Sequence, residues 1–566
     1  MRDGQRMALI GAACAVVVGA AGVGAYALVS GGDDAGAQSR TAGSAGPAEK
    51  KPEAVPTGPP SAAEVRTTAR EFLAAWQSGD LAAASSLTDD KKAAATALKS
   101  FRNDAKAESV TLTEGTRQDD EVRYEVSAAI RYDEELDTTL DYNTSLTVVR
   151  DTRTGRPVVK WQPTVVHPKL KAGQRIVTDA AGDPEVTTVD RNGTELTKEE
   201  FPELGAILDD VRKRYADKTD GTAGVETRIV TGGADAEGAE AAEAKKEDKE
   251  DKDVATLSVL SKGTPGELRT TLDAKLQKAA QRQLAGKAKG SAVAIRPSTG
   301  EILAVANTPA TGFNSALRGS LAPGSTWKVV TSGMLIDKGL AKSAAQHPCP
   351  KYFTYGGWRF QNLDKFEIKG GTFAQSFAAS CNTAFISQAP DLKNDDLTAY
   401  ARDAFGLGLD WQVGTGTFDG AVPVQSDAQM AASLIGQGAV RMNPLTMASV
   451  AATVKDGTFR QPVIVPQSLD NRTLARAPRG LSATTAAELR ALMKQTAVGG
   501  TAAEAMAPVG GDKGAKTGSA EVDGQDKPNA WFIAYKDDLA VGAVIPNSGH
   551  GGKNAGPVVA AILNAG

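Results

Sequence analysis

The sequence predicts an α+β protein of several domains with a membrane anchor in front. Its 566 residues exceed the length of one compact domain. In the first third, a helical apolar period gives way to strict alternation, which favours helices followed by antiparallel strands. In the C-terminal half, strand patterns occur at both ends with a mostly helical stretch between them. An apolar fraction of 41% and a charged fraction of 23% are typical of globular chains.

The first segment has the composition of a membrane span. Residues 7–29 carry no charge, and about 20 apolar residues are enough to cross a bilayer. Arg2 and Arg6 precede this run, which favours an N-terminus in the cytoplasm. We therefore expect residues 1–30 to be a cytoplasmic tip and a single transmembrane signal anchor, with the rest of the chain outside the cell. The alternatives are a cleaved secretory signal and lipid attachment at Cys14.

A flexible linker and a small domain are predicted to follow. Residues 31–60 are rich in Gly, Ala and Pro and read as a linker. Residues 61–168 are predicted to form a cone-shaped α+β domain whose first helix carries one apolar face. That face comprises Val65, Ala69, Phe72, Leu73 and Trp76. Helical stretches continue to about Lys106, and period-two alternation then marks strands. The strand segments are residues 122–132, 140–148 and 158–161.

Two further regions complete the predicted organisation. Residues 169–265 read as a small α+β segment, similar to a linker or dimerisation region, with one clear helix and a charged loop at 232–253. Residues 266–566 form the large C-terminal domain. Its predicted strands lie within 291–307, 514–522, 530–536 and 539–545, and its last helix starts at Gly556-Pro557. Strands from both ends of this domain predict a five-stranded antiparallel sheet flanked by helices.

Charge and cysteine content exclude some partners and leave one question open. The net charge of −4 without a basic face argues against nucleic acid as a partner. Of the three cysteines, Cys14 lies in the predicted anchor. Cys349 and Cys381 would face an oxidising compartment, where a disulfide persists. Their pairing is a hypothesis from compartment alone, and the alternative is two small buried side chains.

A Ser and a Lys stand three residues apart in the stretch LAPGSTWKVV. The Pro-Gly pair ends whatever precedes it, and a helical pattern runs from Ser325 to about Lys338. The spacing places Lys328 one turn on from Ser325, on the same face. A serine at a helix start is commonly an N-cap. The pair by itself therefore leaves a capping role and a catalytic role open.

Two more motifs follow this pair within the same domain. They are Ser380-Cys381-Asn382 and Lys516-Thr517-Gly518. Ser-x-x-Lys, Ser-x-Asn and Lys-Thr-Gly each occur once in the chain, in the order found in penicillin-binding proteins and class A β-lactamases. The domain resembles the transpeptidase domain of penicillin-binding proteins, also in the stretches STGEILAVAN, LIGQGAVRMNPLTMA and AWFIAYK. The N-terminal arrangement is similar to class B enzymes that carry a nuclear-transport-factor-like (NTF2-like) domain.

A serine hydroxyl is a weak nucleophile and needs a base nearby. The chain has three histidines, His167, His347 and His550, and none is near a motif serine in sequence. A histidine that approaches in the fold remains an alternative. A lysine serves instead if burial and a neighbouring positive charge lower its pKa. Lys328 would lie near a helix N-terminus and, by resemblance, close to Lys516. Both place positive charge near its amine and so favour the neutral form.

The resemblance implies a role for each motif residue. Ser325 would attack the carbonyl of a terminal D-Ala-D-Ala bond, and Lys328 would accept its proton. Ser380 would relay a proton to the departing amine, and Asn382 would hold the substrate amide. The remaining roles concern the third motif: Lys516 and Thr517 would bind the terminal carboxylate, Gly518 would keep the strand face free, and the backbone N–H groups of Ser325 and Ser519 would form the oxyanion hole. No metal and no cofactor are implied.

The implied function is a peptidoglycan D,D-transpeptidase that cross-links stem peptides and is acylated by β-lactams. Its expected partners are the stem peptides, their lipid-linked precursor, β-lactams, the membrane and a separate glycan polymerase, because residues 61–260 contain no recognisable polymerising module. Rival interpretations are a D,D-carboxypeptidase or β-lactam hydrolase, a β-lactam receptor without turnover, and an inactive scaffold.

Three features of the sequence argue against the hydrolase, the receptor and the inactive scaffold. Glu488 and Glu504 are the only glutamates between the second and third motifs, and neither has the Glu-x-x-Leu-Asn pattern of β-lactamases. Slow deacylation by water is therefore expected. The short stretch before residue 7 argues against a receptor that signals inward, and the intact motif set argues against an inactive scaffold.

Overall fold

The structure is a computed structural model that describes residues 56–231 and 252–566. The predicted anchor and nearly all of the linker at 31–60 lie outside the described residues, as does most of the predicted charged loop. In the part of the chain that is described, no helix is both long enough and apolar enough to span a membrane. The described residues from Gly58 onward pack as one unit.

The N-terminal domain places three helices against a four-stranded antiparallel sheet of order β1-β2-β3-β4. Its elements are α1 (Ala62–Gln77), α2 (Leu81–Ser86), α3 (Lys91–Asn103), β1 (Ala107–Gln118), β2 (Glu121–Arg131), β3 (Asp137–Arg150) and β4 (Pro157–Lys160). Ser61 begins α1 through a capping box with Glu64, which satisfies two orphan N–H groups. The predicted apolar face of α1 is buried against the alternating inward residues of β2 and β3.

One strand of this domain was not predicted. The sequence AESVTLTEGTRQ forms β1 at the edge of the sheet, and nearly all of its residues are at least partly exposed. Only Ala107, Val110 and Leu112 of this edge strand pack on the core, so its apolar alternation is short and gives a weak pattern. β1 is placed in the sheet by its antiparallel pairing with β2, which its own sequence pattern does not predict.

The region between the domains contains two small sheets and one helix. The elements are β5 (Gln174–Ala180), β6 (Val186–Val189), α4 (Gly205–Tyr215), β7 (Val225–Thr231), β8 (Lys252–Ser261) and β9 (Gly266–Arg269). Strands β5, β7 and β8 form one sheet in that order, and β6 pairs with β9 in parallel. The predicted helix is present as α4. The last two residues of the predicted charged loop, Lys252 and Asp253, belong to strand β8.

The five-stranded antiparallel sheet predicted for the C-terminal domain is confirmed, with strand order β11-β10-β16-β15-β14. Its strands are β10 (Gly290–Ile295), β11 (Ile302–Thr308), β14 (Lys513–Ala520), β15 (Asn529–Lys536) and β16 (Leu539–Ile545). Side chains along β15 alternate between two cores: Trp531 and Ile533 face one, and Phe532 and Ala534 face the other. The sheet therefore lies between two buried layers of helices.

The helices of this domain lie on both sides of the sheet. They are α5 (Ala274–Leu284), α6 (Ser315–Arg318), α7 (Lys328–Asp337), α8 (Phe373–Ala378), α9 (Thr383–Ile386), α10 (Asp396–Phe405), α11 (Asp427–Ser433), α12 (Pro444–Asp456), α13 (Ala483–Gly499), α14 (Ala503–Met506), α15 (Gly551–Asn554) and α16 (Gly556–Ala565). Helices α5 and α16 cover one face, and α12 packs against β16 and β10 on the other. A hairpin of β12 (Tyr352–Tyr355) and β13 (Trp358–Gln361) precedes α8.

Candidate active site

Ser325 lies in a short 3₁₀ helix, Gly324–Trp327, that leads directly into α7. Gly324 has a φ of 54°, and a Cβ there would approach the Ser519 carbonyl oxygen to 2.9 Å, so a glycine fits this position. The Gly324 N–H donates to the carbonyl of Gly436 at 3.0 Å. The N–H of Lys328 donates to the Ser325 carbonyl and closes the turn. Ser325 is thereby fixed beside the edge strand β14, one turn before Lys328.

Lys328 is completely buried. Its Nζ donates to the Ser380 carbonyl oxygen at 2.7 Å and to Asn382 Oδ1 at 2.8 Å. Burial, together with the nearby positive charge of Lys516, holds the pKa of Lys328 well below its usual range. Two strong acceptors match the two N–H groups of a neutral amine and leave its lone pair free to accept a proton.

Lys516 is the second buried amine of the site and stands on β14. Its Nζ donates to Ser380 Oγ at 3.0 Å and to the Thr517 carbonyl at 2.9 Å. Burial lowers the pKa of Lys516 to about 7. Near neutral pH this amine therefore exists in both protonation states.

Ser380 connects the two lysines. It lies between α8 and α9 with a φ of 61°, a left-handed conformation that is uncommon outside glycine. This conformation turns the Ser380 carbonyl toward Lys328, while its Oγ lies 3.0 Å from Lys516 Nζ and 3.4 Å from Lys328 Nζ. A hydroxyl between two amines is in position to pass a proton from one to the other.

The buried side chain of Asn362 organises the second motif, and sequence reasoning missed it. Its Oδ1 accepts from the N–H groups of Asn382 at 2.7 Å and Thr383 at 3.1 Å, so it caps the first turn of α9. Its Nδ2 donates to the carbonyls of Pro350 at 3.0 Å and Phe366 at 2.9 Å. Only 1% of Asn362 is exposed. An isolated asparagine outside any motif gives no sequence signal for this role.

The middle residue of the second motif is covalently tied. Cys381 forms a disulfide with Cys349, which precedes the hairpin strand β12. The hypothesised pairing is therefore present, and both cysteines are buried. The bond restrains the segment that carries Ser380 and Asn382 in addition to the hydrogen bonds of Asn362.

The third motif packs against the turn that holds the candidate nucleophile. A Cβ on Gly518 would lie 2.9 Å from the Pro323 carbonyl oxygen and 3.0 Å from the Thr326 nitrogen. The steric need for glycine was predicted, and the structure identifies the obstructing atoms as the backbone around Ser325. Thr517 Oγ1 lies 2.6 Å from Thr501 Oγ1.

The histidines lie elsewhere. His167 packs on Tyr142 in the N-terminal domain, and His347 packs on Phe373. His550 Nδ1 lies 3.5 Å from Ser519 Oγ at the edge of the site. Within the described residues, none of the three makes a hydrogen bond to Ser325. The structure thus brings together Ser325, Lys328, Ser380, Asn382, Lys516, Thr517, Gly518 and Ser519, all of the predicted site residues.

This arrangement supports acyl transfer through a serine without a histidine base. One buried amine, Lys328, lies one turn after Ser325, and a second, Lys516, lies on β14. A serine activated by an amine with a lowered pKa is one way to perform acyl transfer. In combination with a five-stranded antiparallel sheet between two helical layers, this chemistry defines a serine enzyme of the penicillin-recognising class.

Comparisons with known proteins give the family. Residues 290–564 match the family of the penicillin binding protein transpeptidase domain, and residues 64–174 match the family of the NTF2-like N-terminal transpeptidase domain. The chain belongs to the class B penicillin-binding proteins, and it is a serine D-Ala-D-Ala transpeptidase.

Two curated relatives show the range of sequence similarity. The peptidoglycan D,D-transpeptidase PbpA of Mycolicibacterium smegmatis is 29% identical over 365 residues, which cover 53% of this chain and 72% of the relative. The peptidoglycan D,D-transpeptidase MrdA of Acinetobacter baumannii is 30% identical over 168 residues, 25% of each chain.

Solved structures share the fold. The D,D-transpeptidase domain of a peptidoglycan glycosyltransferase from Eggerthella lenta has a TM-score of 0.51 at 22% identity, covering 68% of this chain and 98% of that one. PBP2 of Pseudomonas aeruginosa in complex with WCK 5153 has a TM-score of 0.52 at 20% identity, covering 68% of this chain and 96% of that one.

Proposed function

We propose that this class B D,D-transpeptidase cross-links peptidoglycan stem peptides through an acyl-enzyme on Ser325, with Lys328 as the base. The observation that carries this assignment is the buried Lys328 amine, which lies one turn from Ser325 and makes its strongest hydrogen bonds to uncharged acceptors. Burial and the positive charge of Lys516 lower the pKa of this amine, which favours the neutral form that a general base needs.

In the acylation half of the reaction, Ser325 Oγ attacks the carbonyl between the two D-Ala residues, and its proton passes to Lys328. The carbon–nitrogen bond then breaks, and Ser380 delivers a proton to the departing D-Ala amine. Lys516 and Thr517 bind the terminal carboxylate, and Asn382 holds the substrate amide. The N–H groups of Ser325 and Ser519 stabilise the oxyanion, a contribution of about 3 kcal/mol per donor.

In the second half, an amine of a neighbouring stem peptide attacks the acyl-enzyme and forms the cross-link. The alternative acceptor is water. Glu488, one of the two candidate glutamates, accepts a hydrogen bond from the Ser343 N–H at 2.8 Å, which supports a structural role for it. Transfer to water would be a D,D-carboxypeptidase side reaction of the same acyl-enzyme. Incubation with a lipid-linked pentapeptide substrate separates the two, since free D-Ala without cross-linked product would identify the hydrolase.

The cellular setting is also a proposal. Residues 1–30 would anchor the protein once in a bacterial cell membrane and leave the catalytic domain outside, where it would accompany a separate glycan polymerase. The uncharged run 7–29 after Arg2 and Arg6 supports this orientation. Protease added to intact protoplasts should digest the catalytic domain. A catalytic domain that remains protected until lysis would contradict the orientation.

Covalent labelling by a fluorescent penicillin tests the nucleophile. We expect Ser325→Ala to lose labelling completely and to keep the thermal unfolding of the wild type. Ser332→Ala is the matched control, because Ser332 lies on the same helix and its buried Oγ has no hydrogen-bond partner among the described residues. Undiminished labelling of Ser325→Ala would refute the assignment.

A further inference from the structure

The hairpin β12–β13 forms a wall beside the site. At its base, the Gln361 carbonyl accepts a hydrogen bond from Asn382 Nδ2 at 3.0 Å. At its tip, the turn at Gly356 lies so close to α11 that a Cβ would come within 2.2 Å of the Ala428 nitrogen. The segment after α11 reaches Gly436, which contacts the turn of Ser325. The hairpin thus runs from the second motif toward the element that supports the first.

The two faces of this hairpin have different surroundings. Phe353 and Phe360 pair across the strands and pack against the large core of the domain. The opposite face carries the alternate positions, which are Tyr352, Thr354, Arg359 and Gln361. Thr354, Arg359 and Gln361 are exposed. The exposed polar face of the hairpin therefore begins at Gln361, whose carbonyl accepts the hydrogen bond from Asn382.

Arg359 is held in place on that face without an anionic partner. Its guanidinium lies 3.7 Å from the ring centroid of Tyr352, a cation–π stack that restricts the side chain. Lys351 Nζ lies 5.7 Å from the centroid of the same ring and adds positive charge. Within residues 56–231 and 252–566, Arg359 makes no ion pair. A stacked, unpaired guanidinium is preorganised for a carboxylate.

The spacing fits a peptide that extends from Asn382. A strand rises about 3.4 Å per residue, so Arg359 stands about 7 Å along β13 from Gln361. An extended substrate whose amide is bound by Asn382 covers the same distance in about two residues. For a donor stem peptide that runs along β13 from Asn382 toward Arg359, the group that reaches Arg359 belongs to the part of the peptide that precedes D-Ala-D-Ala.

We propose that Arg359, positioned by Tyr352, is a subsite for a carboxylate of the donor stem peptide, carried within two residues before the first D-Ala. This inference rests on the proposed function and adds a preference for substrate charge. A guanidinium pairs with a carboxylate in two parallel hydrogen bonds, which the corresponding carboxamide cannot reproduce. The subsite would therefore distinguish a stem peptide with a free carboxylate from its amidated form.

Two synthetic donor peptides test this subsite on the full chain. Both end in D-Ala-D-Ala, and they differ only in a carboxylate or a carboxamide at the residue before the first D-Ala, with a second pair carrying the change one residue earlier. We expect kcat/KM for D-Ala release to favour the carboxylate by about three- to ten-fold in at least one pair. Arg359→Ala should abolish this preference, and Arg359→Lys should retain part of it.

Benzylpenicillin acylation of Ser325 should be unchanged in both variants. Arg476→Ala, which removes an exposed arginine between α12 and α13, is the matched control and should keep the preference. Equal rates for both members of each pair in the wild type, or an unchanged preference in Arg359→Ala, would overturn the subsite. A wild-type protein that penicillin does not label would instead refute the proposed function. The failure of the subsite and the failure of the proposed function therefore give different results.

Discussion

Two buried lysines share one hydroxyl, and their mutual repulsion governs the chemistry of the site. Lys328 and Lys516 both contact Ser380 Oγ, at 3.4 and 3.0 Å. Two ammonium groups so close together in a buried site are unfavourable, so a proton on one disfavours a proton on the other. The pKa of Lys516 is lowered to about 7, whereas that of Lys328 is lowered further. This difference agrees with the proposed mechanism, in which Lys516 is the cation of the pair and Lys328 is the base.

The pH dependence of acylation follows from this division. As pH rises through about 7, Lys516 loses its proton and with it the attraction for the carboxylate of a β-lactam. The second-order rate constant for penicillin acylation, which reports the free enzyme, should therefore fall on the alkaline side. Lys516→Arg keeps the positive charge and should move this decline to higher pH, as stopped-flow measurements would show. An identical alkaline decline in both proteins would contradict the assignment.

At the scale of single residues, the sequence predicted the two lysines but not Asn362, which organises the second motif. The spacing of Ser325 and Lys328 and the two later motifs were enough to predict which side chains the structure brings together. Asn362 could not be found in the same way, because the residues it bonds, Pro350, Phe366, Asn382 and Thr383, are spread over more than 30 positions and form no motif with it. A role defined by contacts between distant segments leaves no local pattern in a single sequence.

At the scale of elements, the contact between β14 and the 3₁₀ helix positions the nucleophile. Gly518→Ala would place a methyl group 2.9 Å from the Pro323 carbonyl oxygen. Because backbone cannot move aside as a flexible side chain does, we expect the Ser325 turn to shift and penicillin acylation to slow by about ten- to a hundred-fold. Rapid-quench labelling measures this rate, and thermal unfolding shows whether the fold persists.

Gly510→Ala provides the matched control. Gly510 precedes the same strand, and a Cβ there would meet no atom within 4 Å. Its acylation rate should equal that of the wild type. A Gly518→Ala protein that acylates as fast as Gly510→Ala would show that the close packing of β14 does not position Ser325.

The elements were predictable where their apolar signal is strong. The central strands β10, β15 and β16 are nearly continuous apolar runs that are buried on both faces, and helix α1 has a clear apolar period. The edge strand β1 and the hairpin β12–β13 were missed, because the first is largely exposed and the second is short with a mixed pattern. From sequence alone the disulfide is only a hypothesis, because sequence separation does not determine spatial proximity.

At the scale of the whole molecule, a buried carboxylate joins the middle region to the catalytic domain. Asp190 accepts hydrogen bonds from the N–H groups of Asn192 at 2.7 Å, Thr194 at 2.8 Å and Ala274, the first residue of α5, at 3.0 Å. Burial would raise the pKa of this carboxyl, but the backbone N–H groups outweigh burial and hold the pKa below its ordinary value.

Removal of this carboxylate should weaken the junction. We expect Asp190→Ala to lower the free energy of unfolding by about 2 kcal/mol, because three backbone N–H groups, of which that of Ala274 is buried, lose their acceptor. Since the folded-state pKa is depressed, the contribution is fully present above about pH 4 and is lost as pH falls through the folded-state value. Urea unfolding at pH 7 measures the change. Asp183→Ala, at an exposed position, should be neutral, and equal stability of both variants would contradict this role.

The order of the regions was predictable from changes of period and composition, and their boundaries remain predictions. The contacts between regions were not predictable, because Asp190 and Ala274 are remote in sequence and neither belongs to a motif.

The protonation state of Lys328 in the free enzyme tests the central claim most directly. Nitrogen-15 NMR of protein with labelled lysine side chains, assigned by the signal missing from Lys328→Arg, follows this amine through a pH titration. We predict the signal of a neutral amine for Lys328 at pH 7. An ammonium signal that persists above pH 9, in protein that penicillin acylates at full rate at pH 7, would contradict the account.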